Sequence, residues 1–210
     1  MRTASPLELR LWIVALACLC ATLAIGALVA SRPPTRLDVE AGALRGTAVP
    51  LALFFTGLGR WPVLLALGLV AAAVAYKLRA GLTAVAVLYS AQVLSQGVNA
   101  LLKLLFHRHR PDAWLQIKEV DLSFPSGHAV TAVVFFVGFA LLAWHAPLPR
   151  PLAAAIVVAL GICAAGIPWS RLALSAHYLT DVIAGLLLGT AFLCAALAVI
   201  LRSGAATALR

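Results

Sequence analysis

The chain has 210 residues, of which 63% are apolar and only 11% are charged, with a formal net charge of +9. Soluble globular domains carry about 25% charged residues, so this composition excludes an ordinary soluble domain and indicates a membrane protein. The lysines and arginines are scattered among the loops without forming a basic stripe, so no nucleic-acid partner is expected. No polar linker divides the chain, and residues 1–210 are interpreted as one domain.

Six apolar stretches are predicted to be transmembrane helices, because each approaches the roughly 20 residues needed to cross a bilayer. Their approximate bounds are 11–30, 61–76, 81–105, 126–144, 152–169 and 177–201. Residues 38–58 end in an apolar run too short to span, which predicts an interfacial or re-entrant helix. The alternative is that they join the next stretch in one kinked span. The predicted fold is therefore an all-α bundle of six transmembrane helices with an additional interfacial helix between the first two.

Two polar or small-residue patterns indicate how the spans pack. Gln92, Gln96 and Asn99 recur at helical spacing in the third span, and we expect this stripe to face the bundle rather than lipid. Gly185 and Gly189 form a small face on the sixth span, which favours close packing inside the bundle over dimerisation.

The loop charges predict the orientation of the chain in the membrane. Six spans place both termini on one side, and the density of lysine and arginine favours the cytoplasm for that side. We therefore expect a multi-pass protein of the cell (inner or plasma) membrane with cytoplasmic termini. The conspicuous polar motifs then lie at the extracytoplasmic ends of the spans.

Three short segments concentrate ionisable side chains within this hydrocarbon-rich chain. They are KLLFHRHRP, PSGH and SRLALSAHYLTD, and their ionisable residues of interest are Lys103, Arg110, His128, Arg171, His177 and Asp181. Ionisable groups near lipid are costly to bury and usually functional. Three cations, two histidines and one carboxylate suit the binding of a phosphate group and the cleavage of its ester.

His177 and Asp181 are four residues apart at the predicted start of the sixth span, so both are expected on one helix face. The carboxylate can then accept the Nδ1 proton of His177, which leaves Nε2 as a nucleophile or base. A buried polar pair that only joins two helices explains this pair equally well when it is considered alone.

The PSGH segment has the pattern of a helix start. The unpaired N–H groups and dipole at a helix N-terminus form an anion site. Gly127 would let a phosphate approach the backbone, Ser126 would donate its hydroxyl, and His128 would stand beside the anion to protonate a leaving oxygen. A simple capped turn is the structural alternative.

Lys103, Arg110 and Arg171 are predicted to clamp the phosphate, because guanidinium groups bind phosphate oxygens in pairs and lysine adds a point charge. The remaining basic residues near the motifs are interpreted as anchors that extend toward headgroups: Arg45, Arg60, Arg108 and Lys118. His107 and His109 are interpreted as solvated loop residues, and His145, at the opposite end of its span, receives no catalytic role.

Together these residues resemble the signature of the type 2 phosphatidic acid phosphatase family, which also includes bacterial acid phosphatases and vanadium haloperoxidases. The signature is a lysine, six residues and Arg-Pro; then Pro-Ser-Gly-His; then Ser-Arg, five residues, His, three residues and Asp. The chain matches every fixed position between residues 103 and 181, within a motif-bearing core of about 81–201. Many relatives carry a further arginine where this chain has Asp112.

The resemblance implies a phosphatase that needs no metal or other cofactor. His177 would form a phosphohistidine, Asp181 would orient it, and His128 would protonate the leaving group and then help to activate water. The groups that the resemblance assigns to phosphate binding are Lys103, Arg110, Ser126, Gly127 and Arg171.

The position of the motifs at the membrane boundary predicts an amphiphilic substrate in the bilayer, such as undecaprenyl diphosphate, phosphatidic acid or phosphatidylglycerol phosphate. One rival is a lipid phosphotransferase that uses the same phosphohistidine. Another is a non-catalytic lipid-binding or transport protein on the same fold. A haloperoxidase ranks lower, because the known ones are soluble. The sequence does not indicate an oligomeric state.

Overall fold

The structure is a computed structural model that describes residues 4–111 and 121–203. The described residues form helices and connecting turns without β-strands. The helices are α1 (Pro6–Val29), α2 (Arg36–Ala41), α3 (Val49–Leu58), α4 (Trp61–Lys77), α5 (Leu82–Phe106), α6 (Gly127–Thr131), α7 (Gly138–His145), α8 (Arg150–Ala173) and α9 (Leu179–Arg202). A 3-10 turn, Gly42–Leu44, follows α2, and a π-helical segment, Ala132–Val137, joins α6 and α7.

Helices occupy all six stretches that the sequence predicts as spans. Five are long and apolar enough to cross a membrane: Pro6–Val29, Leu82–Phe106, Gly127–His145, Arg150–Ala173 and Leu179–Arg202. The helix α4 has 17 residues, and its length of roughly 25 Å is less than the thickness of a typical hydrocarbon core. The all-α, multi-pass architecture is confirmed, whereas the count of six spans stays a prediction.

Two helices extend beyond their predicted bounds for local reasons. The helix α1 begins earlier because Ser5 and Glu8 form a capping box, with Ser5 N donating to Glu8 Oε2 at 2.6 Å and Glu8 N donating to Ser5 Oγ at 3.2 Å. Hydropathy does not detect such a polar first turn. The helix α8 continues through Pro168 and ends at Ala173, which places Arg171 in its last turn.

The segment 38–58 is bent into two helical pieces, because the axis from α2 and its 3-10 turn meets α3 at 110°. The helix α2 packs against α9, and α3 packs against α8. A Cβ on Gly166 of α8 would lie 2.4 Å from the Phe55 ring, so the two helices are in intimate contact. The segment therefore folds back against the bundle. Its interfacial depth stays a prediction.

The interior and the outer surface are both apolar, as a lipid environment requires. Phe135 and Phe139 stack in the core with ring centroids 4.5 Å apart, and Leu88 packs nearby without solvent exposure. Large side chains such as Leu16 and Leu69 are more than half exposed on the outer faces of α1 and α4. Such surfaces would be unfavourable in water and are natural against acyl chains.

The prediction that Gly185 and Gly189 pack inside the bundle is confirmed. A Cβ on Gly185 would lie 2.4 Å from Ser126 O, and one on Gly189 would lie 2.8 Å from Val133 Cβ. The glycines thus let α9 approach the helix that follows Ser126, and this contact brings two of the motifs together.

Gly185→Ala is therefore expected to destabilise the protein, by about 1–3 kcal/mol, because the backbone around Ser126 must move away. Thermal unfolding in detergent measures the effect. Gly161→Ala is the matched control, because a Cβ at Gly161 meets no atom within 4 Å. Equal melting temperatures for the two variants would contradict the role of this contact.

Candidate active site

The polar stripe of α5 holds the PSGH segment in place. Asn99 Nδ2 donates to Pro125 O at 3.1 Å, and Gln96 Nε2 donates to Gly127 O at 3.1 Å. Gln92 is fully buried beside them. The prediction that this stripe faces the bundle is confirmed, and its physical role is to bind the backbone where α6 begins.

Ser126 precedes α6 with extended backbone (φ −76°, ψ 111°) and no side-chain capping bond. Its N–H donates to Asp181 O at 3.0 Å. Its Oγ is buried and makes no hydrogen bond with the described residues. A Cβ on Gly127 would lie 2.9 Å from Gln96 Oε1. The described structure therefore explains this glycine by helix packing, and the approach of a phosphate to its backbone stays a prediction.

His128 is held by α3, an element that the sequence did not connect with the motifs. Its Nε2 lies 3.2 Å from Thr56 O. A carbonyl oxygen only accepts, so this nitrogen carries a proton. A Cβ on Gly59 would lie 2.6 Å from the His128 ring, so the end of α3 fits closely around it. The Thr56 hydroxyl also accepts a hydrogen bond from Arg171 Nη1.

Thr56 is a site neighbour that the sequence analysis missed. The only signal was a single hydroxyl within the otherwise apolar α3. Arg171 is itself 2% exposed, in the last turn of α8, so its charge acts inside the protein.

His177 lies just before α9 rather than on it, because α9 begins at Leu179. This corrects the expectation that His177 and Asp181 share one helix face. The two are still neighbours, with His177 Nδ1 3.6 Å from Asp181 Oδ2, which is longer than a hydrogen bond. Asp181 Oδ2 accepts instead from Tyr178 N at 2.9 Å, so this carboxylate also caps its own helix.

The environment of His177 defines its protonation. Its Nε2 lies 2.9 Å from Arg110 Nη1. Arginine can only donate, so Nε2 accepts and the neutral ring carries its proton on Nδ1, toward Asp181. Burial, and then the positive charges of Arg110, Arg171 and Lys103, hold the pKa of His177 well below its ordinary value. The Nε2 nitrogen of His177 is therefore unprotonated at neutral pH.

Lys103 and Arg110 meet at one carboxylate, that of Asp121. Lys103 Nζ and Arg110 Nη2 both contact this carboxylate. Arg110 also donates from Nη1 to Ala176 O at 2.7 Å. The Asp121 side chain is 54% exposed. Partial burial raises the pKa of Asp121. The hydrogen bonds and charges of Lys103 and Arg110 together lower that pKa by more than burial raises it, so the net shift is downward.

The sequence analysis missed Asp121, which lies between two predicted phosphate ligands. An anionic group thus already lies between these two cations. The geometry shows that this corner of the site can hold negative charge.

The interpretation of Arg108 as a headgroup anchor is wrong. Its side chain is 4% exposed and bridges two carboxylates, with Nη2 3.0 Å from Asp38 Oδ2 and Nη1 2.6 Å from Asp181 Oδ1. The sequence could not reveal these contacts, because Asp38 and Asp181 belong to helices that are far from Arg108 along the chain.

The other basic residues and histidines interpreted from the sequence are either exposed or outside the described residues. Arg45, Arg60, His107 and His109 are exposed, as expected, and His145 is exposed as well. Lys118 and Asp112 lie outside the described residues. Among the residues that the structure describes, no group of three or more His, Cys, Asp and Glu side chains is placed to hold a metal ion.

The fold and site define a multi-pass helical membrane protein with a buried cluster of arginines, lysine, histidines and carboxylates where α5, α6, α8 and α9 meet. The model of the PAP2 superfamily matches residues 80–205. The chain belongs to this superfamily, as the resemblance had indicated.

Two curated relatives and one solved structure are similar to the chain. Phosphatidylglycerophosphatase B of Bacillus subtilis (strain 168) is 33% identical over 93 residues, which cover 44% of this chain and 46% of the relative. Lipid A 1-phosphatase of Rhizobium etli is 36% identical over 114 residues, covering 50% and 45%. The matched part of the chain thus spans less than half the length of each of these relatives.

The solved structure is the crystal structure of a transmembrane PAP2 type phosphatidylglycerolphosphate phosphatase from Bacillus subtilis. Its TM-score is 0.69 at 23% identity, and the alignment covers 93% of this chain and 96% of that one. At this identity the similarity establishes the common fold.

Proposed function

We propose that the chain hydrolyses a lipid phosphate or diphosphate through a phosphohistidine on His177, at the extracytoplasmic face of the membrane. The observation that carries the proposal is the neutral His177 Nε2, buried 2.9 Å from Arg110 Nη1 among cations that already contact a carboxylate. The site residues and roles are those predicted above: Lys103, Arg110, Ser126, Gly127, His128, Arg171, His177 and Asp181.

Binding begins with an exchange of anions. The substrate phosphoryl group replaces the Asp121 carboxylate between Lys103 and Arg110. The N–H of Arg110 that faces His177 Nε2 turns to a phosphate oxygen, which frees the nitrogen lone pair. Arg171 and the buried hydroxyl of Ser126 provide further donors for the equatorial oxygens.

Phosphoryl transfer then needs one nucleophile and one acid. His177 Nε2 forms a bond to phosphorus as the bond to the leaving oxygen breaks. The negative charge of the bound phosphate favours the imidazolium form of His128, which gives a proton to the leaving oxygen. The His177 ring keeps its Nδ1 proton and becomes cationic, and the nearby carboxylate of Asp181 stabilises that charge.

Hydrolysis of the phosphohistidine reverses these roles. The neutral His128 takes a proton from a water molecule as its oxygen attacks phosphorus. His177 leaves as a neutral imidazole, and inorganic phosphate departs. His128 ends as the imidazolium, ready for another turnover.

The acid limb of the pH profile tests the state assigned to His177. Because burial and neighbouring cations lower the pKa of His177, the neutral nucleophile persists below the ordinary histidine pKa of about 6.5. We expect kcat/KM to fall only below that pH, after correction for the substrate's own phosphate ionisation near pH 6. A corrected midpoint at or above pH 6.5 would contradict the assignment.

Asp121→Asn is expected to lower KM by about two- to fivefold, because the neutral amide no longer competes with phosphate for Lys103 and Arg110. The exposure of Asp121 limits the effect, and added salt should reduce it. Steady-state kinetics at low and moderate ionic strength measure the change. An unchanged or higher KM would show that Asp121 assists binding instead.

Phosphate release by the purified 210-residue chain in detergent, with EDTA present, tests the proposed function. The substrates are undecaprenyl diphosphate, phosphatidic acid and phosphatidylglycerol phosphate, and the rank order assigns the substrate class. The name of the Bacillus subtilis relative favours the last of these. Transfer of phosphate to an added lipid acceptor rather than to water would indicate the phosphotransferase. No release and no transfer by monodisperse protein would reject the proposal.

A further inference from the structure

A buried chain of ionic contacts leads from α2 to the His177 site. Its outer member is Asp38, whose side chain is 0% exposed. Asp38 Oδ1 accepts from Thr180 N and Thr180 Oγ1, both at 2.9 Å. Asp38 Oδ2 accepts from Arg108 Nη2 and from Thr35 N, both at 3.0 Å. These donors come from the residue before α2, from α9 and from the segment after α5, so the carboxylate has little freedom to rotate.

Arg108 is the middle member and is held from both ends. Its Nη1 donates at 2.6 Å to Asp181 Oδ1 and at 2.6 Å to Thr180 Oγ1, while Nη2 donates to Asp38. Its guanidinium carbon lies 4.3 Å from the centre of the Tyr178 ring. A planar fork can bridge two carboxylates in this way, whereas a lysine ammonium is a point charge.

Asp181 is the inner member and faces the ring of His177. One oxygen is held by Arg108, and the other accepts from Tyr178 N and lies 3.6 Å from His177 Nδ1. The contact between the carboxylate and the imidazole is therefore loose. What places the carboxylate opposite Nδ1 is the pair of bonds from Arg108 and Tyr178.

We propose that Asp38 is a positioning residue for the phosphoryl-transfer reaction. Through Arg108 it orients the Asp181 carboxylate, and the carboxylate in turn sets the tautomer and direction of the His177 ring. This inference rests on the proposed function. It makes α2 part of the functional site, although α2 precedes residues 80–205, which match the superfamily model.

The energetics of burial support a functional role. Removing two carboxylates and a guanidinium from water costs several kcal/mol per ion, and apolar replacements of such groups are often as stable or more stable. Stability alone is thus a weak reason for a buried Asp38–Arg108–Asp181 arrangement. Orientation of a nucleophile is a stronger one, because misplacement by about 1 Å can cost about 100-fold in rate.

Asp38→Asn tests the inference against Glu40→Gln on the same helix. Glu40 forms an exposed ion pair with Arg36 and does not contact the site, so its variant is expected to match the wild type. We expect Asp38→Asn to lower kcat by about 10- to 100-fold. The inhibition constant of inorganic phosphate should stay within about twofold, because Lys103, Arg110 and Arg171 remain.

Arg108→Lys and the double variant test the connection. Lysine keeps the charge but not the fork, so we expect Arg108→Lys to lose kcat to a similar degree. The kcat of the double variant Asp38→Asn, Arg108→Lys should be little lower than that of the less active single variant. This is expected for residues that act through one path. Wild-type kcat in Arg108→Lys, or fully additive losses, would overturn the proposal.

Two further comparisons decide the remaining cases. If Asp38→Asn is not monodisperse, Thr180→Val removes a hydroxyl that donates to Asp38 and accepts from Arg108, and unchanged kcat in that variant would overturn the inference. A loss of phosphate affinity equal to the loss of kcat would mean collapse of the site and would also overturn it.

The two proposals fail separately. Inactive wild-type protein, or activity that survives His177→Ala, rejects the proposed function. Active wild type, inactive His177→Ala, and Asp38→Asn with the same kcat as Glu40→Gln reject the positioning role alone.

Discussion

His177→Ala is expected to lower kcat/KM for the lipid phosphate by at least about 10⁴-fold, because alanine removes the nitrogen that would bond to phosphorus. Inorganic phosphate should still bind, since the cations of the site remain. The variant should fold, because the side chain it removes contacts Arg110 Nη1 through one ring nitrogen and lies 3.6 Å from the Asp181 carboxylate, which is longer than a hydrogen bond. Phosphate release and phosphate inhibition, measured on the same preparation, separate loss of chemistry from loss of binding.

A covalent intermediate gives the more direct measurement. Rapid quenching with radiolabelled substrate should trap an acid-labile phosphoenzyme in the wild type and in His145→Ala, and none in His177→Ala. His145 is exposed at the far end of α7 and is a suitable histidine control. A phosphoenzyme that persists without His177 would assign the nucleophile elsewhere and reject the mechanism.

His128→Asn is expected to have the second largest effect, a loss of about 10²- to 10⁴-fold in turnover of an alkyl lipid phosphate. An alkoxide needs a proton to leave, and His128 is the group proposed to supply it. An aryl phosphate, whose leaving group departs without a proton, should bypass that step. The variant should therefore release about one equivalent of phenol quickly and then turn over slowly, since His128 is also needed to activate water.

The matched control is His145→Asn, which lies on the same continuous helix Gly127–His145 and should retain wild-type kinetics with both substrates. Equal losses of the first turnover with the alkyl and the aryl ester would mean that His128 acts in binding or in packing against Thr56, and would contradict its role as an acid.

The positions of the main helices and the gathering of the motifs could be predicted because each depends on local information. A run of apolar residues near the length of a bilayer crossing predicts a span by itself. The stripe Gln92, Gln96, Asn99 predicts a buried face because residues three and four apart lie together on a helix. The glycines of α9 indicate close packing for the same reason, and the structure supplies the partner, the backbone at Ser126.

Local reasoning was less accurate where a helix begins. The spacing of His177 and Asp181 suggested one helix face, yet α9 starts after His177 because Asp181 caps the helix through Tyr178 N. Spacing could suggest that the two residues are neighbours. It could not show that the Asp181 oxygen nearest His177 already accepts a hydrogen bond from Tyr178 N.

By itself, then, the sequence determined a hydrophobic multi-helix chain, its superfamily signature and the chemical types of residue in the site. The tertiary structure alone decided how those residues are held. Arg108 meets Asp38 and Asp181 across 70 and 73 positions of sequence, and Arg171 meets Thr56 across 115. Helical periodicity relates residues only within a few turns. Partners on different helices become neighbours through packing, and their buried charges can be assigned only after that packing is known.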